Sequence, residues 1–239
     1  MITLRVEVAA ESATLHNTLL LEAAFGLDGR SGELTVAEHQ RLEPSRIVHP
    51  VNATWTGRRS DLMRGDVGLR SGDAVMSDAF FARLAGMRLA PHVDVPVACA
   101  KSDKWGVRLL GPAAPHHWIA WSEPDDLTDG VDWERSTFVV RESPVPGRER
   151  AAVTRSLRDR AELEEVVRAA LDRWAELDVA SLTFRDPEVE SLDMLFLPRL
   201  RVDAFFVSER LAAALLSPPK LSGFRIRRSD GSAVLGSGR

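Results

Sequence analysis

The chain has 239 residues, 44% of them hydrophobic and 28% charged. That is globular composition for one large domain or two small ones, too apolar for disorder to dominate. Its 31 lysines and arginines against 35 aspartates and glutamates leave a net charge of −4, without the basic surplus that a general nucleic-acid binder uses to displace counterions.

A single cysteine, Cys99, excludes an intrachain disulfide and any multi-thiolate zinc centre. The opening residues carry apolar side chains at positions 2, 4, 6 and 8, the alternation of a strand rather than the charged-then-apolar layout of a secretory signal. No stretch approaches the ~20 consecutive apolar residues of a membrane helix. The expectation is a cytoplasmic protein with no membrane partner.

Residues 15–25 predict a short helix, stopped by Gly26 and Gly29. Residues 28–73 are rich in Gly, Arg, Asp and Pro with poor periodicity, and 36–51 hold a short helix or irregular strand. Residues 74–76 then read as a strand and 79–87 as a helix, with Ser77 as the N-cap and Asp78 favourable to the helix dipole. Val93, Val95, Val97 and Cys99 alternate in the next strand.

The layout recurs near the end of the chain. Phe205-Phe206-Val207 is a strand, Ser208-Glu209 a cap with its acidic first-turn residue, 211–216 a helix stopped by Pro218-Pro219, and Phe224 and Ile226 a returning strand. Between the copies, Leu163, Val166, Val167, Ala170, Leu171, Trp174 and Leu177 mark one apolar stripe of a helix over 159–177. The turn 143–147 precedes it, and 231–239 is Gly- and Ser-rich and reads as a flexible tail. The fold expected is α+β: a mixed, largely antiparallel sheet with packed helices and an internally duplicated strand–helix–strand unit. It forms a single domain over 1–239, with room for two related lobes meeting near 145.

Standard catalytic signatures are missing. There is no Gly-rich phosphate loop, dinucleotide fingerprint, Gly-x-Ser-x-Gly elbow or His-Glu-x-x-His pair, so no cofactor and no catalytic residue is expected. His116 and His117 are adjacent, and neighbours in a strand face opposite ways, which disfavours joint ligation of one ion. The stretch from Asp125 to Gly130 departs from a calcium loop at its third and twelfth positions, Leu127 and Ser136; no metal is expected. Cys99, in an apolar strand, reads as an inert buried thiol. An enzyme with an unrecognised site would draw on His92, Cys99, His116, His117 and Asp132.

Residues 118–135 are the most unusual stretch. Glu123, Asp125, Asp126, Asp129, Asp132 and Glu134 face one arginine, with Trp118, Trp121 and Trp133 interleaved. Carboxylates steer association with a basic surface, and tryptophans anchor interface centres. Trp121, Glu123, Asp125, Asp126, Asp129, Asp132, Trp133 and Glu134 are therefore the partner-binding candidates, against the alternative of a solvated acidic loop with tryptophans packed inward. The following arginines, including Arg155, Arg158 and Arg160, balance these acids; no aromatic residues accompany them to stack bases.

Three stretches carry a family resemblance: Ala74-Val75-Met76-Ser77-Asp78; Val131-Asp132-Trp133-Glu134-Arg135-Ser136; and Leu195-Phe196-Leu197-Pro198-Arg199-Leu200 leading to Phe206-Val207-Ser208-Glu209-Arg210-Leu211 and Leu221-Ser222-Gly223-Phe224. In this order they resemble immunity protein family eleven of bacterial polymorphic toxin systems. The resemblance spans roughly 61–228 and leaves 1–60 unexplained. It departs from the family in lacking the tyrosines common before the middle motif, since the chain has no tyrosine. It implies a non-catalytic protein that binds and neutralises a toxin encoded nearby, and the acidic, tryptophan-containing stretch would suit a basic toxin such as a nuclease. An adaptor or chaperone of a secreted effector is the alternative binding role.

Overall fold

A computed structural model describes residues 4–8, 14–15, 51–57, 60–65, 74–103, 109–121, 127–142, 151–173, 176–197, 200, 204–229 and 234–238. The fold is α+β. In chain order the strands are β1 (Leu4–Val8), β2 (Thr14–Leu15), β3 (Val51–Thr56), β4 (Leu62–Gly65), β5 (Ala74–Ser77), β6 (His92–Lys101), β7 (Ala114–Trp121), β8 (Thr137–Glu142), β9 (Ala151–Arg155), β10 (Glu176–Ser181), β11 (Met194–Leu195), β12 (Phe205–Val207), β13 (Phe224–Arg228) and β14 (Val234–Gly238). Among the described residues the helices are α1 (Asp78–Phe81), α2 (Arg160–Arg173), α3 (Pro187–Glu190) and α4 (Glu209–Leu216).

Among the described residues the strands form three sheets. Strands β2-β3-β6-β7-β5-β4 close into a barrel, β11-β12-β1-β13-β14 form an open five-stranded sheet, and β10-β8-β9 a three-stranded one. Pairing is antiparallel except for β2 with β4 and β3 with β6. Alternation along the barrel strands explains why two cores exist. Trp55, Met63, Val75, Val95, Cys99 and Trp118 belong to one buried cluster on the inner face. Leu62, Ala74, Met76, Ile119 and Trp121 point the other way, into a larger cluster shared with Leu4, Val6, Phe80, Phe205 and Phe224. Strand β5 is buried on both faces, which is why it reads as an unbroken apolar run.

Both predicted caps form. Ser77 accepts from the Phe80 amide at 3.2 Å and Ser208 from the Leu211 amide at 3.1 Å, each satisfying an orphan donor of the first turn. The strand–cap–helix–strand layout therefore occurs twice, as β5-α1-β6 and β12-α4-β13.

Several elements differ from the sequence expectation. Leu15 lies in β2, paired with Trp55, and 16–25 and 36–50 are outside the described residues; Val51 opens β3. Helix α1 is one turn long and tightens into a 3₁₀ turn over Ala82–Leu84. The described helix α2 runs over Arg160–Arg173, Trp174 lies outside the described residues, and Leu177 is no longer helical: it stands in β10 and pairs with Val140 of β8, because strand pairing competes with the continued stripe. Leu163 is buried in the large cluster and Val166 packs against it. The supposed tail is not loose over 234–238: as β14 it pairs with β13, Phe224 opposite Gly238, a ladder made of backbone groups that Gly and Ser carry as well as any residue. The segment around 145 lies outside the described residues. The large cluster draws on both halves of the chain.

Candidate functional site

The turn over 127–136 carries the described part of the acidic stretch. A 3₁₀ turn, Leu127–Gly130, opens it. It is then fastened to 183–185 from below: the Asp132 amide donates to the Thr183 carbonyl at 2.8 Å and the Arg185 amide to the Gly130 carbonyl at 2.9 Å. Ser136 is wholly buried; its hydroxyl accepts from the Thr183 amide at 3.1 Å and donates to the Thr183 carbonyl at 3.3 Å. Its own amide reaches back to the Asp132 carbonyl at 2.9 Å, and Asp132 Oδ1 accepts from the Arg135 amide at 3.3 Å. Asp132 and Ser136 thus shape the turn, with the aspartate side chain turned to its own backbone.

The tryptophans are packed inward. Trp133 is buried and stacked on Phe138, with centroids 5.8 Å apart. Trp121 is buried with its ring 6.0 Å from Phe205 and 5.8 Å from His92. Neither ring is offered to a partner as the free surface stands, because both complete the large core. Asp129 and Glu134 are exposed and Asp132 is half-buried. Glu123, Asp125 and Asp126 lie outside the described residues.

Asp129 already has a cation. Arg160, at the start of α2, meets it at 2.7 Å and Glu164 at 3.1 Å, and the hydrogen bond it donates to Asp129 holds the guanidinium above its ordinary pKa. Glu162 lies below the usual carboxylate range, chiefly because it accepts from the Arg158 amide at 2.8 Å. Asp159 caps α2 through the Glu162 amide at 2.9 Å.

The residues considered for chemistry are dispersed. Cys99 sits on the inner face of the barrel, where burial pushes its thiol up to about 12; it is held in the form that is a poor nucleophile. His116 is buried opposite Val97, its Nδ1 3.0 Å from the Ala114 carbonyl. His117 faces the other way, as strand alternation requires. Its Nδ1 lies 3.1 Å from Asp94, its Nε2 3.2 Å from Asp78, and its ring stacks on Phe81 with centroids 3.8 Å apart. Nothing in the sequence marks Asp94 or Asp78 as partners of His117: Asp78 is legible only as a first-turn acid, and only the β6–β7 register places Asp94 diagonal to His117. His92 Nδ1 contacts the Ala90 carbonyl at 2.8 Å. Among the described residues no three His, Cys, Asp or Glu side chains are grouped to hold a metal ion, and no helix is long and apolar enough to cross a membrane.

The arrangement offers a fixed, carboxylate-bearing turn beside the start of a helix, with exposed groups suited to hydrogen bonding and charge pairing. Compared with protein-family models and with curated proteins, the chain finds no match.

Proposed function

We propose that this chain is a non-catalytic immunity protein, which binds a cognate bacterial toxin in the cytoplasm and neutralises it by occupying its surface. The observation that supports this reading most is the fastening of the 127–136 turn. Ser136 and Asp132 tie it to Thr183, so that Asp129 and Glu134 project from a backbone that needs no ordering on association. Pre-organised acceptors lower the entropic cost of docking, and carboxylates steer a basic partner. A basic toxin such as a nuclease suits that charge. The acidic residues Glu123, Asp125, Asp126, Asp129, Asp132 and Glu134 are its proposed contacts, with Trp133 anchoring the turn on Phe138 and Trp121 buried in the same core cluster.

The test is co-expression with the product of the adjacent gene. Rescue of growth together with a purified complex is the expected result; no complex and no rescue would sink the proposal. A complex in which the toxin stays active would instead mark an adaptor. Replacing Asp125, Asp126 and Asp129 by Asn should slow association and flatten its salt dependence. Association rates unchanged across a salt series would remove the acidic stretch from the interface.

A further inference from the structure

We infer that the chain contains two copies of one β–β–α–β unit, β4-β5-α1-β6 and β11-β12-α4-β13, joined as a pseudo-two-fold pair in which each copy's aspartate grips the loop that follows the other copy's helix. Asp61 stands immediately before β4 and Asp193 immediately before β11. Ser77 Oγ donates to Asp61 Oδ1 at 2.7 Å, and Ser208 Oγ to Asp193 Oδ1 at 2.6 Å. The amides of the same serines donate to the carbonyls of the same aspartates, both at 2.9 Å. Each serine hydroxyl then caps its helix through the amide three residues on.

The second carboxylate oxygen reaches across to the other half. Asp61 Oδ2 accepts from the Ser222 amide at 2.7 Å, and Asp193 Oδ2 from the Arg88 amide at 2.9 Å. The loops answer in kind. The Ser222 carbonyl accepts from the amides of Asp61 and Leu62 at 3.0 and 3.3 Å; the Arg88 carbonyl accepts from those of Asp193 and Met194 at 2.6 and 3.3 Å. Capped helices arise independently many times, but the same donor–acceptor pairs in the same order, with loop partners exchanged between halves, are what duplication produces.

Other features follow the same exchange. Arg83, just after α1, donates to Ser217 Oγ at 2.8 Å and to the Pro219 carbonyl at 3.1 Å, at the end of α4. Arg210, on α4, donates to the Gly86 carbonyl at 2.7 Å, beyond the end of α1. Three and seven residues after each cap serine stand the buried pairs Phe80 and Leu84, and Leu211 and Leu215. The strands neighbour one another as β4-β5-β7-β6 and β11-β12-β1-β13, antiparallel at every step. In the second copy the strand equivalent to β7 is supplied by β1, from the start of the chain. Each half therefore presents a face that fits a second copy of itself, an isologous contact held within one polypeptide.

Amide hydrogen exchange of the full chain tests this. Asp61→Ala should speed exchange at Ser222, in the second half, and leave Arg88 protected; Asp193→Ala should do the reverse. Loss of a hydrogen bond to a charged acceptor predicts about ten- to hundredfold faster exchange at the released amide. The milder Asp61→Asn and Asp193→Asn, which keep one acceptor oxygen, give the same crossed pattern if the alanine variants do not fold. Acceleration confined to the half that carries the substitution, or a crossed effect for one aspartate and not the other, would overturn the inference.

Discussion

Arg5, on the central strand of the five-stranded sheet, forms an ion pair with Asp178 on β10 and so ties that sheet to the three-stranded one. Both side chains are almost wholly enclosed. Glu7 extends the network, lying 2.8 Å from Arg5 and 3.4 Å from Arg227. Removing one member of a buried pair costs up to about 3–5 kcal/mol when the other charge is left uncompensated, and less here because Glu7 still meets Arg5, whereas replacing both by apolar groups is gentler. Asp178→Ala should therefore destabilise the protein, with Glu7 limiting the loss, and Arg5→Met with Asp178→Leu should recover part of it while Glu7 keeps Arg227 as its partner. Urea unfolding of the three proteins decides it, and equal midpoints for wild type and Asp178→Ala would refute the assignment.

Gly223 and Gly86 both have positive φ, at 88° and 72°, yet they should respond differently to alanine. A Cβ on Gly223 would stand 2.5 Å from the Leu62 carbonyl oxygen and 2.6 Å from Ser60 Cβ, while one on Gly86 meets nothing within 4 Å. Gly86→Ala should thus lose only the left-handed backbone term, about 1–2 kcal/mol. Gly223→Ala adds a clash against backbone and should lose clearly more. Thermal melts of the two variants provide the comparison.

Cys99 should be silent to thiol reagents in the native protein up to at least pH 9, because burial raises its pKa to about 12 from 9.0. The sign follows from linkage. With the folded value above the unfolded one, the stabilisation is intact below pH 9 and is lost as pH climbs from 9 towards 12, about 4 kcal/mol over the full span. Cys99→Ala should flatten that alkaline limb, and rapid labelling of native wild type at pH 8 would contradict the buried placement.

Glu162 works in the opposite direction. Its carboxyl lies below the ordinary value because it accepts from the Arg158 amide and pairs with the Arg158 and Arg155 side chains. Its contribution is present above the ordinary glutamate range and disappears as pH falls through the lowered value. Glu162→Gln should remove that acid dependence and loosen the start of α2, an effect readable as faster amide exchange at Arg158.

What the residues alone determined was local. The caps at Ser77 and Ser208, the alternation through β6, the inert setting of Cys99 and the opposed faces of His116 and His117 all depend on neighbours within a few positions, whose geometry the backbone imposes. The acidic stretch was legible as composition, and so was the alternative of inward-packed tryptophans, but not the choice between them. Tertiary structure alone decided that Trp121 and Trp133 complete a core, that six strands close into a barrel, that Leu177 joins β10, and that Asp61 grips Ser222 from 161 residues away. Those outcomes turn on which distant backbone groups find each other. Chain closure over such separations leaves no periodicity or spacing in the sequence to announce it.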